Sequence, residues 1–159
     1  MYNEKTPNYT EGGVQHMFID QLSLFVENKP GRLIKITKAL ANANVDMRAF
    51  SVADTSDFAI LRLIVDNTEK ALDVLNNEGI AVTVSKVIGL GIDDKPGSFA
   101  GILEILSEAN ISVEYLYAFI SHHTDKAYFI FRVDREDDAV ELFKKNNVLL
   151  LSTQDIANL

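Results

Sequence analysis

The sequence predicts an α+β fold made of two tandem copies of one βαββαβ unit, and three observations carry that prediction. Sliding the chain on itself by 66 residues aligns 28–49 with 94–115 without a gap. Seven positions in that stretch are identical: Lys29/Lys95, Pro30/Pro96, Gly31/Gly97, Ile36/Ile102, Leu40/Leu106, Ala43/Ala109 and Asn44/Asn110. After each Lys-Pro-Gly an apolar stripe recurs at helical spacing, and β-rich apolar runs bounded by polar turns flank it on both sides. A two-residue insertion near Ser121-His122-His123-Thr124 shifts the offset to 68, after which 57–66 aligns with 125–134. Insertions of this kind belong in hairpin loops.

The first strands are Leu22–Val26 and its counterpart Ile88–Ile92. Helices follow, since Leu33, Ile36, Leu40 and Ala43, with Phe99, Ile102, Leu106 and Ala109, each fall on one face at i, i+3, i+7 and i+10. Asn44 and Asn110 end them, because asparagine tolerates the left-handed conformation. Second strands are expected over Val45–Ala53 and Ile111–Ser121, and third strands over Phe58–Val65 and Lys126–Val133. The second helices run over Thr68–Asn77, burying Ala71, Leu72 and Leu75, and over Glu136–Lys145, burying Ala139, Val140 and Phe143. The acids of Arg135-Glu136-Asp137-Asp138 suit the positive end of a helix dipole. Gly79 and Asn147 then open the last strands, Ile80–Lys86 and Val148–Ser152.

This element order, with right-handed crossovers, gives two ferredoxin-like sandwiches, each a four-stranded antiparallel sheet with both helices on one face. The division expected is a tail over 1–17, one domain over 18–86 and a second over 87–159. A boundary near Lys86-Val87 leaves almost no linker, so the copies sit directly against one another. Gly89 and Gly91 alternate with Ile88, Leu90 and Ile92, stripping one strand face for close approach of a backbone, a ligand or ordinary packing.

Composition narrows the function. A net charge of −8 opposes nucleic acid and anionic membranes as partners, whose recognition draws on Lys and Arg. No cysteine is present, which excludes disulfides, thiolate metal sites and cysteine nucleophiles and fits the cytoplasm. The tail lacks the apolar core of a signal peptide, and Met17 would serve as an alternative start. His122-His123 has no further ligand at a metal-binding spacing and reads as a solvated loop. Tyr115, Tyr117 and Phe119 share one strand face and, given the acidic charge, read as a core or interface strip rather than a base-stacking platform. No nucleophile with a base, nucleotide loop or metal quartet occurs, so neither an enzyme nor a cofactor is expected.

A strand ending in a polar residue, then x-Pro-Gly-x-apolar, a helix and a small-Asn-Ile/Val stop resembles the ACT domain family of amino-acid-sensing regulatory modules. The first copy shows it in Glu27-Asn28-Lys29-Pro30-Gly31-Arg32-Leu33 with Asn44-Val45-Asp46-Met47. The second shows it in Asp93-Asp94-Lys95-Pro96-Gly97-Ser98-Phe99 with Asn110-Ile111-Ser112-Val113. The resemblance spans about residues 20 to 152. It departs from the family at Asp46 and Ser112, where the family commonly has Asn. It implies an eight-stranded antiparallel sheet joined through the second strands, with effectors between the loop of one module and the second strand of the other. One site would pair Asn28, Pro30, Gly31, Arg32 and Leu33 with Ile111, Ser112 and Val113. The other would pair Asp93, Asp94, Pro96, Gly97, Ser98 and Phe99 with Val45, Asp46 and Met47.

Physical chemistry gives the motif a reason of its own. Pro sets φ for the first helical turn and Gly allows close approach, so the helix N-terminus offers free N–H groups to a carboxylate. Asn28, or Asp93 and Asp94, could accept bonds from an ammonium. The alternative is that Asn28 and Asp94 merely cap their helices. The expectation is a non-catalytic regulatory protein that binds a free amino acid, forms a homodimer that covers its edge strands, and acts on a partner enzyme or regulator. The competing reading is a protein-interaction module of the same fold with no small-molecule ligand.

Overall fold

The computed structural model describes residues 17–54, 57–119 and 125–159. The elements are β1 (Phe18–Glu27), α1 (Arg32–Asn42), β2 (Met47–Asp54), β3 (Phe58–Val65), α2 (Thr68–Asn77), β4 (Val82–Asp93), α3 (Ser98–Glu108), β5 (Val113–Phe119), β6 (Lys126–Val133), α4 (Glu136–Lys145), β7 (Leu149–Leu151) and α5 (Thr153–Asn158). The helix stops work as the sequence implies: Asn44, Asn110 and Asn147 hold φ of 54°, 53° and 55°, and Gly79 holds 72°. The acidic first turn expected of α4 is present in Glu136, Asp137 and Asp138.

The strands join into one antiparallel sheet in the order β2-β3-β1-β4-β6-β5, with β7 paired to β4. The two expected strands on either side of Lys86-Val87 are one strand. Val82–Asp93 contains neither Pro nor Asn, so nothing interrupts the ladder. Its first part pairs with β1, from Leu24↔Val82 to Phe18↔Ile88, and its second with β6, from Ile88↔Phe131 to Asp93↔Lys126. The repeats are therefore fused through a shared strand, and the sheet has seven strands. The expected eight-stranded sheet joined through the second strands is not formed, because β2 and β5 are the two ends of the hydrogen-bonded order.

Residues paired across an antiparallel ladder point to the same face. Leu22, Leu24 and Val26 of β1 and Ile88, Leu90 and Ile92 of β4 thus share the outer face, which all four long helices cover. The first repeat packs Ile36, Leu40, Ala71 and Leu75 there, and the second packs Ile102, Leu106, Val140 and Phe143. The sheet curls about its inner face, bringing β2 against β5. Equivalent register shifts at Met47/Ala49 and Val113/Tyr115 mark bulges in β2 and β5, a device that increases local twist.

The inner face forms a third core between the repeats, containing Ile19, Ala49, Ile64, Val87, Tyr117, Tyr128, Ile130, Leu151 and Ile156. Gly89 and Gly91 serve this packing. A Cβ on Gly89 would meet Ile19 and Leu151, and one on Gly91 would meet Leu149 and Tyr128. The close approach is made by the chain's own side chains. Tyr115, Tyr117 and Phe119 line the same core. Gln21 is fully buried at its centre: its amide donates to Tyr115 Oη at 2.8 Å, and its carbonyl accepts from Tyr117 Oη at 2.8 Å. The Arg62 guanidinium stacks 3.8 Å above the Tyr115 ring.

Candidate functional site

Each Lys-Pro-Gly ends in a glycine that occupies the N-cap of a long helix in the left-handed region, Gly31 at φ 85° and Gly97 at φ 92°. Only glycine adopts that conformation without strain, and neither has a heavy atom within 4 Å of where a Cβ would stand. The space above both is open. No side chain caps either helix, so the reading of Asn28 and Asp94 as N-caps is corrected. Asn28 instead donates through Nδ2 to Asp54 Oδ1 at 3.0 Å and through its backbone to Asp57 at 3.3 Å. Asp94 makes the equivalent backbone bond to Asp125 at 3.0 Å. In the first turns, Arg32 and Lys35 bond back to Lys29 and Gly31, and Ser98 and Gly101 bond back to Lys95 and Gly97. Between them, the amides of Leu33, Ile34, Phe99 and Ala100 have no acceptor among the described residues.

The charges beside the two loops are matched but not identical. Lys29 and Arg32 hold the Glu27 carboxyl below its ordinary range, mainly through the Lys29 charge and the Arg32 hydrogen bond at 2.7 Å. Asp93 is lowered first by a 2.6 Å hydrogen bond from Lys126, its partner in the β4–β6 ladder, then by the charges of Lys126 and Lys95. Asp93 is thus already committed to cations.

The strand segments expected to complete the sites are anchored within their own repeats. Asp46 and Ser112 receive backbone pairing from Asp66 and Asp134, whose carboxylates accept their amides at 2.9 Å. Within each repeat those residues stand at the far end of β3 or β6, whereas that repeat's own Pro-Gly loop adjoins the opposite end. Within one chain, among the described residues, no hydrogen bond joins 28–33 to Ile111, Ser112 and Val113, or 93–99 to Val45, Asp46 and Met47. The sequence reading had not singled out Asp66 and Asp134, although they close the 57–66 and 125–134 alignment and so occupy equivalent positions.

Beside each Pro-Gly helix runs a groove between its first two turns and the segment after the repeat's second helix. The first, about 280 Å³, is lined by Phe25, Glu27, Arg32, Lys35, Glu78 and Ile80. The second, about 450 Å³, is lined by Gly91, Asp93, Ser98, Gly101, Lys126 and Val148. They are duplicates: Phe25/Gly91, Glu27/Asp93, Arg32/Ser98 and Lys35/Gly101 follow the 66-residue offset, and Ile80/Val148 the 68-residue one. Lys35 and Glu78, which face each other at 3.4 Å, were not anticipated as site residues. Their signal was available in the position of Lys35, one turn beyond Arg32 on α1. His122 and His123 lie outside the described residues, and no group of potential metal ligands occurs among the described ones.

Two glycine-capped helices on a duplicated, fused ferredoxin-like sheet define a paired-module protein. The chain belongs to the ACT domain family: the model of the ACT domain pair matches residues 17–159. Among solved structures it is similar to protein BT0572 from Bacteroides thetaiotaomicron, with 36% identity, a TM-score of 0.84, and coverage of 90% of this chain and 98% of that one. It shares its fold with the ligand-free regulatory subunit of aspartate kinase from Thermus thermophilus, at 14% identity and a TM-score of 0.58 over 79% of this chain and 91% of that one. The corresponding subunit from Thermus flavus gives 14% identity and a TM-score of 0.54, over 79% and 90% of the respective chains. No curated protein matches the chain.

Proposed function

We propose that this protein is a non-catalytic regulator of the cytoplasm that senses a free amino acid at its Pro-Gly loops and passes the signal to a partner enzyme or regulator. The observation that carries the reading is the pair of left-handed glycine N-caps, each with two main-chain amides in the helical turn after it that have no acceptor among the described residues. Such a turn suits a carboxylate, and the acidic and basic side chains beside it suit an ammonium and a carboxylate together. Ile111, Ser112 and Val113, and Val45, Asp46 and Met47, would close the loop sites from a second copy in a homodimer. The regulatory aspartate kinase subunits that share the fold support a regulatory role.

A thermal-shift screen of the full chain against the twenty amino acids tests this. A ligand at 100 times its dissociation constant stabilises the folded state by about 2.7 kcal/mol. At least one amino acid is expected to raise the melting temperature, and a flat response to all twenty refutes amino-acid sensing. The second reading, an interaction module without a small ligand, draws on the exposed apolar side chains of the first repeat, among them Phe50 and Val52 on β2. It gains ground only with that flat response.

A further inference from the structure

The inner face of the sheet is filled in the second repeat and open in the first. Ser51, Arg62, Ser23 and Thr83 form a row across the first repeat, paired in register through β2, β3, β1 and β4. The 66- and 68-residue offsets carry them onto Tyr117, Ile130, Gly89 and Leu151, paired in the same way through β5, β6, β4 and β7. That second row lies in the inner core under α5, with Ile156 Cδ1 3.5 Å from where a Cβ on Gly89 would stand. In the first repeat the chain runs on as β4 where the second forms α5, and the row keeps Thr83 exposed and Ser51, Arg62 and Ser23 partly open. One row further along, beside Ile60, Phe25 is 68% exposed. Arg32, Arg48, Arg132 and Arg135 each pair with a carboxylate. Arg62 has no such partner among the described residues: its guanidinium stacks on the Tyr115 ring, which satisfies a face of the cation and none of its N–H groups. Ser23 Oγ accepts from the Gln21 amide at 3.2 Å, so its own proton is left to donate. Donors converge here, and neither this row nor the neighbouring Ala53-Ile60-Phe25 contains an acid.

We infer that the open inner face of the first repeat is a further binding site, distinct from the Pro-Gly loops, for a small monocarboxylic acid with an apolar body. This goes beyond the amino-acid reading above and does not depend on it. The ligand carboxylate takes the N–H edge of Arg62 and the hydroxyl of Ser23, and its apolar body lies over Ile60 and Phe25. A single cation matches a single negative charge, whereas a dianion such as phosphate leaves one uncompensated in a chain of net charge −8. An amino acid would bring an ammonium to a surface with no carboxylate to receive it, so the acid without an amino group is favoured. The occupant is small, because the two rows measure about 14 by 7 Å from strand spacing and rise, roughly 100 Å². A stable protein interface takes about 800 Å² from each partner. The second repeat is closed to the same ligand, since Ile130 stands in the place of Arg62 and α5 fills the space.

Isothermal titration calorimetry of the full chain tests the inference with 3-phenylpropanoate and 4-methylpentanoate, set against 3-phenylpropan-1-ol, phenethylamine and inorganic phosphate. One site per chain is expected for at least one of the two acids, with no binding by the alcohol or the amine and weaker binding by phosphate. Binding should also change the near-ultraviolet circular dichroism of the tyrosines, because the cation it occupies is stacked on Tyr115. L-phenylalanine should not displace the bound acid. Arg62→Gln should weaken affinity by about tenfold or more, the scale of one charge-assisted hydrogen bond. Ser51→Glu keeps the arginine and offers it a carboxylate from the adjacent strand, so it should weaken binding as much even where Arg62→Gln loosens the fold. Silence from both acids, two sites per chain, a preference for phosphate, binding of the alcohol or the amine, displacement by L-phenylalanine, or affinity indifferent to both variants would overturn this site. Each of these results leaves the amino-acid reading of the Pro-Gly loops standing, since that reading fails only on a flat response to all twenty amino acids.

Discussion

At Gly89 a Cβ would stand 2.5 Å from Ile19 Cδ1 and 3.1 Å from Leu151 Cβ, with both neighbours in the inner core. Gly89→Val is expected to cost about 1–3 kcal/mol, the usual penalty for overpacking, measurable as a lower midpoint in urea denaturation. Gln21 is a different kind of residue, a polar group retained at full burial because both halves of its amide are satisfied by tyrosines almost a hundred positions away. Tyr117→Phe leaves the Gln21 carbonyl without that donor, at an expected loss of about 1–3 kcal/mol in the same assay. Burial also raises the Tyr117 phenol well above its ordinary value of 10. The folded state therefore keeps its proton while the unfolded chain loses it, so stability holds below pH 10 and falls as the pH rises beyond it. Tyr117→Phe should flatten that alkaline limb, read from stability measured across the range. The bare strand face at Gly89 and the place of Tyr117 in a core strip were legible beforehand, but the burial of Gln21 was not. In sequence, Gln21 alternates with Leu22 like any solvent-facing strand residue, and only the curl of the distant repeat buries it.

Elements that bury one regular face were legible almost to the residue. β3, α2, β6 and α4 fall on the expected ranges, since their periodicity is strong and Asp, Asn and Gly bound them. The continuity of β4 was not seen, because duplication suggests a division where the ladder supplies none. The terminal helix α5 was missed too, although Ser152-Thr153-Gln154-Asp155 spells out a capping box that the structure closes, with Ser152 Oγ accepting from the Asp155 amide at 3.2 Å. Its Ile156 is buried against the inner core. Ser152→Ala should cost about 1 kcal/mol by removing that cap, seen as a lower thermal midpoint. Of the candidate sites, the Pro-Gly loops at the helix starts were readable from the motif, whereas the left-handed glycine N-caps, with Pro30 and Pro96 ahead of the helix rather than in its first turn, were not. The grooves beside them were not, because Lys35 and Glu78 meet only once α1 packs beside the turn after α2.

For the whole molecule, a shared strand and a common inner core mean that neither repeat has a complete sheet of its own. Unfolding is expected to be a single transition, with far-ultraviolet and near-ultraviolet circular dichroism coincident in urea. The near-ultraviolet signal comes from tyrosine and phenylalanine, since the chain has no tryptophan. Two resolved transitions would show that the repeats fold separately.

The placement of β4 has a mechanical consequence. The turn that feeds it, Ile80 and Ala81, walls one groove, and its far tip, Gly91 to Asp93, walls the other. A strand of 12 residues, at about 3.3 Å each, is a stiff bar held by ladders on both edges. It cannot slide by one residue without turning every side chain to the wrong face. Its middle, at Ile88, is paired on one side to Phe18 and on the other to Phe131, so one continuous element walls both hollows and ties their spacing to the register of the shared strand.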